Sequence, residues 1–173
     1  MLPHAMPLVV AALAVALAGQ AAAAPPTSIS GKVVSVHDGD TLTIRTDDEQ
    51  TIRVRLQGID APELGQTFGQ RSREALAALV KGKPVEVIGN GQDKYRRTLG
   101  TVIVGGVDAN ARQVATGMAW HYARFDKSPA LARAQEAART SRSGLWADPA
   151  PMAPWEWRAG EAARRKAKAA AKR

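Results

Sequence analysis

Cysteine is absent from the 173 residues, and histidine occurs only three times. The first absence excludes a disulfide scaffold, a thiolate zinc site and a thiol nucleophile together. The second makes a histidine-rich metal site a poor expectation. Any metal would have to be held by oxygen ligands, which suits a hard cation. Residues 1–28 contain no Asp, Glu, Lys or Arg. The uncharged run Leu8–Ala18 inside that stretch is too short for a bilayer span, which needs about 20 apolar residues. Small residues follow it, Ala21 to Ala24 and then Pro25-Pro26. This is the pattern of a secretory leader over 1–24 with an Ala-x-Ala cleavage site, and a retained anchor is the alternative. The expectation is a periplasmic or secreted monomer with no stable membrane span after cleavage.

What is present is basic charge and enough apolar material for a core. Hydrophobic residues make up 45%, which excludes wholesale disorder. Lys and Arg number 24 against 16 acids, a net charge of +8. Such an excess points to a polyanionic partner. Residues 158–173 hold seven of those basic residues and one acid, a net of +6, which leaves +2 for the remainder. This Ala/Lys/Arg-rich tail has no apolar stripe larger than Ala. It could form a helix, but it is expected to be solvated or disordered by itself and to suit anionic surface polymers.

Between the leader and the tail, residues 27–157 read as one domain. Ile29–Val36, Thr41–Thr46 and Thr51–Leu56 carry β-type patterns separated by polar turns, with Ile52, Val54 and Leu56 on one face. Thr67 followed by Gln70 has the spacing of a capping box and predicts a helix through Val80. Pro84–Ile88 and Thr101–Val104 are two further strands, the second ending in the hairpin signal Gly105-Gly106. A short helix starts near Asn110, and Ser128-Pro129 caps another that runs to about Arg142. Five strands and three short helices, mainly β within an α+β chain, suit a five-stranded Greek-key barrel of OB type.

Four segments carry candidate chemistry. Asp38-Gly39-Asp40-Thr41 reads first as a hairpin turn. Arg55 ends a strand, and Asp60 and Glu63 follow on a loop stiffened by Pro62. That pair suits a cation and a water, or solvated loop charges. Asp93-Lys94-Tyr95-Arg96-Arg97 is either a basic turn or a phosphate-recognition element with a stacking Tyr. Trp120 to Phe125 reads as core aromatics with exposed polar tips.

In this order and spacing the first three segments resemble the staphylococcal-nuclease-like, or thermonuclease, family over about Ile29 to Trp146. The resemblance implies an OB-type barrel and a secreted, Ca2+-dependent endonuclease. It would hydrolyse phosphodiesters of single-stranded DNA and/or RNA with little base specificity, leaving 3′-phosphates. Matching positions give Asp40, Asp60 and the backbone carbonyl of Ala61 as metal ligands. They give Glu63 as general base and Arg55 and Arg97 as phosphate-clamping catalytic arginines. Asp38 and Thr41 would stand behind the metal ligands, and Lys94, Tyr95, Arg96 and Tyr122 would meet the substrate. Arg96 takes the place of the family's usual Gly, so a positive φ there implies strain. The Trp residues of the 154–158 segment are expected to pack back on the barrel. A non-catalytic nucleic-acid-binding OB module is the competing reading.

Overall fold

A computed structural model describes residues 27–172. The proposed leader lies outside the described residues. Strand β1 (Thr27–Val36) pairs antiparallel with β2 (Thr41–Arg45), and β2 with β3 (Thr51–Leu56). The other half of β1 pairs with β5 (Pro84–Gln92), and β5 with β6 (Thr98–Val104). A parallel pairing of residues 54–56 in β3 with 98–100 in β6 then closes the sheet into a five-stranded barrel. Short strands β4 (Ile59–Asp60) and β8 (Trp120–His121) pair with each other beside it, and β7 (Val107–Asp108) continues from β6. The barrel and its five main strands agree with the sequence expectation.

Period-2 patterning explains the barrel. Thr98, Gly100, Val102 and Val104 of β6 point inward and their neighbours are less buried. Val54 and Leu56 of β3 are buried, as their alternation predicts. They join Leu42, Ile44, Val87 and Val102 in the main core. Helix α1 (Gly69–Val80) adds Leu76 and Val80, and α2 (Ala109–Ala115) adds Val114. Helix α3 (Pro129–Thr140) begins as expected, with Ser128 Oγ accepting from the Leu131 amide. A second cluster of Trp120, Ala138, Leu145, Trp146 and Ala153 lies beside the first, with Phe68 and Trp155 against it.

Two expectations are corrected. The capping box at Thr67 does not form. Phe68 occupies the N-cap with φ 68° and no side chain caps the helix, while Gln70 donates to Glu74 instead. The start is set by packing: a Cβ at Gly69 would lie 1.9 Å from the Glu63 carbonyl oxygen, so the chain can meet that loop only at a glycine. The second correction is a fourth helix, α4 (Pro154–Ala170), which includes most of the basic tail. Its later turns are exposed, but its first turn is anchored. Ala153 and Pro154 are buried, and the Gln66 amide donates to the Met152 carbonyl at 2.6 Å. Among the described residues no helix is long and apolar enough to cross a membrane.

Candidate active site

The site is built by strand register. Thr41 stands opposite Arg55 in the β2–β3 hairpin, so Asp40 falls beside the Arg55 side chain. Asp60 is fixed by its pairing with Trp120. Barrel closure sets Arg55 opposite Leu99, two residues after Arg97. The Asp38-Gly39-Asp40 turn is held from behind. Gln113 of α2 is almost fully buried and donates to the Gly39 carbonyl at 2.8 Å and the Ser72 carbonyl at 3.1 Å. A Cβ at Gly39 would sit 1.7 Å from Ser72 Oγ. Gly39 does not take the positive φ of a two-residue hairpin. The segment does turn β1 into β2, as read from the sequence, but its glycine is there for close approach to α1 and not for a positive φ.

Asp40 and Asp60 are 4% and 1% exposed. Arg55 bridges them: its guanidinium pairs with Asp40 and donates to Asp60 Oδ1 at 2.9 Å. Asp40 also accepts from the Ala61 amide at 2.6 Å and from Thr41 Oγ1 at 3.1 Å, and its own amide donates to Asp38. Burial pushes the Asp40 carboxyl up to about 7; Arg55 opposes this, and Asp38 and Asp60 add to it. Burial of Arg55 favours its neutral form, but Asp40 and Asp60 outweigh it and raise its pKa further. Arg55 therefore stays charged.

Arg97 lies at the end of the β5–β6 turn. Its Nε and Nη2 both reach Asp93 Oδ2 at 2.7 Å, and Nη1 approaches Thr41 Oγ1 at 3.5 Å. Burial acts upward on Asp93, but hydrogen bonds from Arg97 and the Tyr95 amide hold it below its ordinary value. Tyr95 is exposed, with Lys94 Nζ 5.0 Å and the Arg97 guanidinium 5.5 Å from its ring centre. Arg96 is exposed with φ 61°, so the expected strain is present. Arg96→Gly is expected to raise stability by up to about 1 kcal/mol, seen as a higher urea midpoint. An unchanged or lower midpoint would show that the turn carries no such cost.

Sequence reasoning missed Arg158 and Trp155. Arg158 of α4 donates to Asp60 Oδ2 at 2.6 Å, Asp60 Oδ1 at 3.1 Å and Glu63 Oε1 at 2.8 Å. Its hydrogen bond to Asp60 is the main reason its pKa rises. The boundary drawn at 157/158 thus falls inside a helix that enters the site. Trp155 lies parallel on Tyr122 with ring centres 5.3 Å apart, and edge-on to Trp120 at 5.5 Å. Tyr122 therefore has one ring face covered, and Trp155 packs back as expected, on the second cluster. Alternation and turn signals do not reveal a contact between positions so distant in the chain. The unusual Trp-Glu-Trp-Arg run was the available signal.

Among the described residues no three carboxylates or imidazoles form a ready-made metal cluster. The expected ligand set needs only two carboxylates and a carbonyl, and its chemistry fits a hard cation. All its donors are oxygens. Asp40, Asp60 and Glu63 pair with two guanidiniums, Arg55 and Arg158, with the Asp38 carboxylate bonded to the Asp40 amide behind them, while Arg97 is matched by Asp93. The centre is thus short of positive charge, and a guanidinium already sits where a cation would be attracted.

Comparison with known proteins bears on the family of the chain. Residues 53–148 match the staphylococcal nuclease homologue family. An uncharacterized endonuclease of Haemophilus influenzae is 44% identical over 130 residues, covering 75% of this chain and 73% of its own. Protein ParB of Escherichia coli is 42% identical over 166 residues, 90% of this chain and 92% of its own. A micrococcal nuclease of Shigella flexneri is 43% identical over 139 residues, 74% of this chain and 79% of its own. A closed barrel, arginines and carboxylates gathered on its rim and a match over more than half the residues lead to one assignment: the chain belongs to the staphylococcal nuclease homologue family.

Proposed function

We propose that this protein is an exported, Ca2+-dependent nuclease. It would hydrolyse phosphodiester bonds of DNA and/or RNA with little base specificity and leave 3′-phosphates. Family membership and the nuclease relatives support phosphodiester hydrolysis. The observation that carries the reading is the convergence of Asp40, Asp60, Glu63, Arg55 and Arg97 through one chain of polar contacts. Export rests on the leader pattern of residues 1–24.

Asp40, Asp60 and the Ala61 carbonyl would hold the cation. When bound, a hard dication lowers the negative charge of a phosphodiester and acts as a Lewis acid. Glu63 would accept the proton of the attacking water. Arg55 and Arg97 would stabilise charge on phosphate oxygens through their guanidinium forks. Tyr95, exposed between two cations, would meet a base or sugar.

The direct test is digestion of single-stranded DNA with Ca2+ and then with chelator. Cleavage that stops in chelator supports the reading. Cleavage that continues removes the metal requirement. Tight binding without cleavage would favour the non-catalytic module.

Asp40 also sets a pH dependence. Its carboxyl must ionise to act as a ligand, so a proton competes with the cation below about 7. Ca2+ affinity measured by titration should be about tenfold weaker at pH 6 than at pH 8. The cation-free fold should respond in the opposite sense. Between 3.8 and about 7 the folded state holds a proton that the unfolded chain has lost. Stability from this group therefore falls as pH rises through that window. A flat affinity profile would rule out Asp40 as the titrating ligand.

A further inference from the structure

Arg158 is in an unusual position for a residue of a basic terminal helix. Its guanidinium covers Asp60 Oδ2 and shares Oδ1 with Arg55 Nη2. It also reaches Glu63 Oε1 at 2.8 Å. It thereby engages one carboxylate assigned to the cation and the carboxylate assigned to the base. A dication on Asp60 and a guanidinium at 2.6 Å from the same carboxylate repel each other, so close occupation by both is unfavourable.

The side chain is nevertheless free to leave. It is 42% exposed, whereas the Asp60 side chain is 1% exposed. The helix that bears it does not have to move. Its start is fixed by buried Ala153 and Pro154, by the Gln66–Met152 hydrogen bond and by Trp155 on Tyr122. Releasing Asp60 and Glu63 therefore leaves a flexible, permanently charged fork tethered at the edge of the reaction centre. The group that then arrives is a phosphodiester anion, for which a guanidinium is a matched bidentate partner.

We propose that Arg158 is a third arginine of the site: it holds Asp60 and Glu63 in the cation-free protein and transfers to a substrate phosphate when the cation takes Asp60. This rests on the nuclease reading above. The transfer frees Glu63 for its proton and couples cation and substrate binding. Each removes a cost of placing the other.

The test uses the full chain and three variants. Ca2+ binding is measured by calorimetry without nucleic acid, and kcat and KM on single-stranded DNA at saturating Ca2+. Arg158→Gln should bind Ca2+ up to about fivefold more tightly, because the competing charge is gone. It should also lose at least about tenfold in kcat/KM, mostly as a raised KM, because a charge-assisted phosphate contact is lost. Arg158→Lys keeps the charge, so its Ca2+ affinity should stay near wild type while kcat/KM falls as for Gln. Arg164→Gln, on the same helix but paired with Glu161, should leave Ca2+ affinity unchanged. Near-ultraviolet dichroism checks that the Trp155–Tyr122 stack is retained.

Unchanged or weaker Ca2+ binding by Arg158→Gln overturns the exchange. Tighter binding with unchanged or improved kcat/KM overturns the transfer to phosphate and leaves a simple plug. Wild-type protein that neither binds Ca2+ nor cleaves overturns the nuclease reading and this proposal with it. Wild type that does both while the variants match it overturns this proposal alone.

Discussion

Glu63→Gln is expected to lower kcat on single-stranded DNA by about 10²–10⁴ at saturating Ca2+, with KM and Ca2+ affinity nearly unchanged. The amide keeps the shape and one oxygen that can accept from Arg158, so the loop should hold. The Glu63 backbone is secured independently: the Gln66 amide donates to its carbonyl at 2.8 Å, and Gln66 Oε1 accepts from its amide at 3.3 Å. The one property removed is the ability to take a proton. A loss confined to kcat is the signature of a group acting in the transition state. Turnover within a fewfold of wild type would remove Glu63 from the base role. A matching loss of Ca2+ affinity would make it a ligand.

Arg55→Met should produce the largest loss of stability, about 3–5 kcal/mol without Ca2+. Methionine fills similar space, so packing changes little. The cost arises because Asp40 and Asp60 are both buried and Arg55 is the cation they share. Breaking a buried ion pair on one side leaves carboxylates without compensation. Urea unfolding would measure it, and added Ca2+ should restore part of the loss because the same carboxylates bind the ion. Activity should not return with the stability, since the phosphate fork is gone. Stability close to wild type without Ca2+ would mean that the two carboxylates do not depend on Arg55. Arg158 is half exposed, so its own ion pairs contribute less, at most about 1 kcal/mol.

Most of the barrel could be read because its strands alternate and its turns are local. β6 shows this in the regular inward positions from Thr98 to Val104. Asp40, Arg55, Asp60, Glu63 and Arg97 could be read because each lies at a strand end or turn, where short spacing carries the pattern. The supports behind them could not. Gln113 and Ser72 are ordinary polar residues on helices, and only folding reveals that they meet the Gly39 turn. Thr67 shows the opposite failure: its local capping signal lost to the close contact between Gly69 and the Glu63 carbonyl. Charge counting placed Arg158 in a solvated tail because composition has no access to distance. Its partners lie 98 and 95 positions earlier in the chain.

The parallel join between β3 and β6 has a kinetic consequence. Residues 54–56 and 98–100 pair across the intervening helix and hairpin. Contacts of such separation make folding slow, because loop closure is unfavourable until the pairing forms. The local hairpin β2–β3 and helix α1 need no such wait. Arg55 and Arg97 become neighbours only through that final closure. During refolding, recovery of helical dichroism should therefore precede recovery of nuclease activity, and the delay between them would time the closing of the barrel.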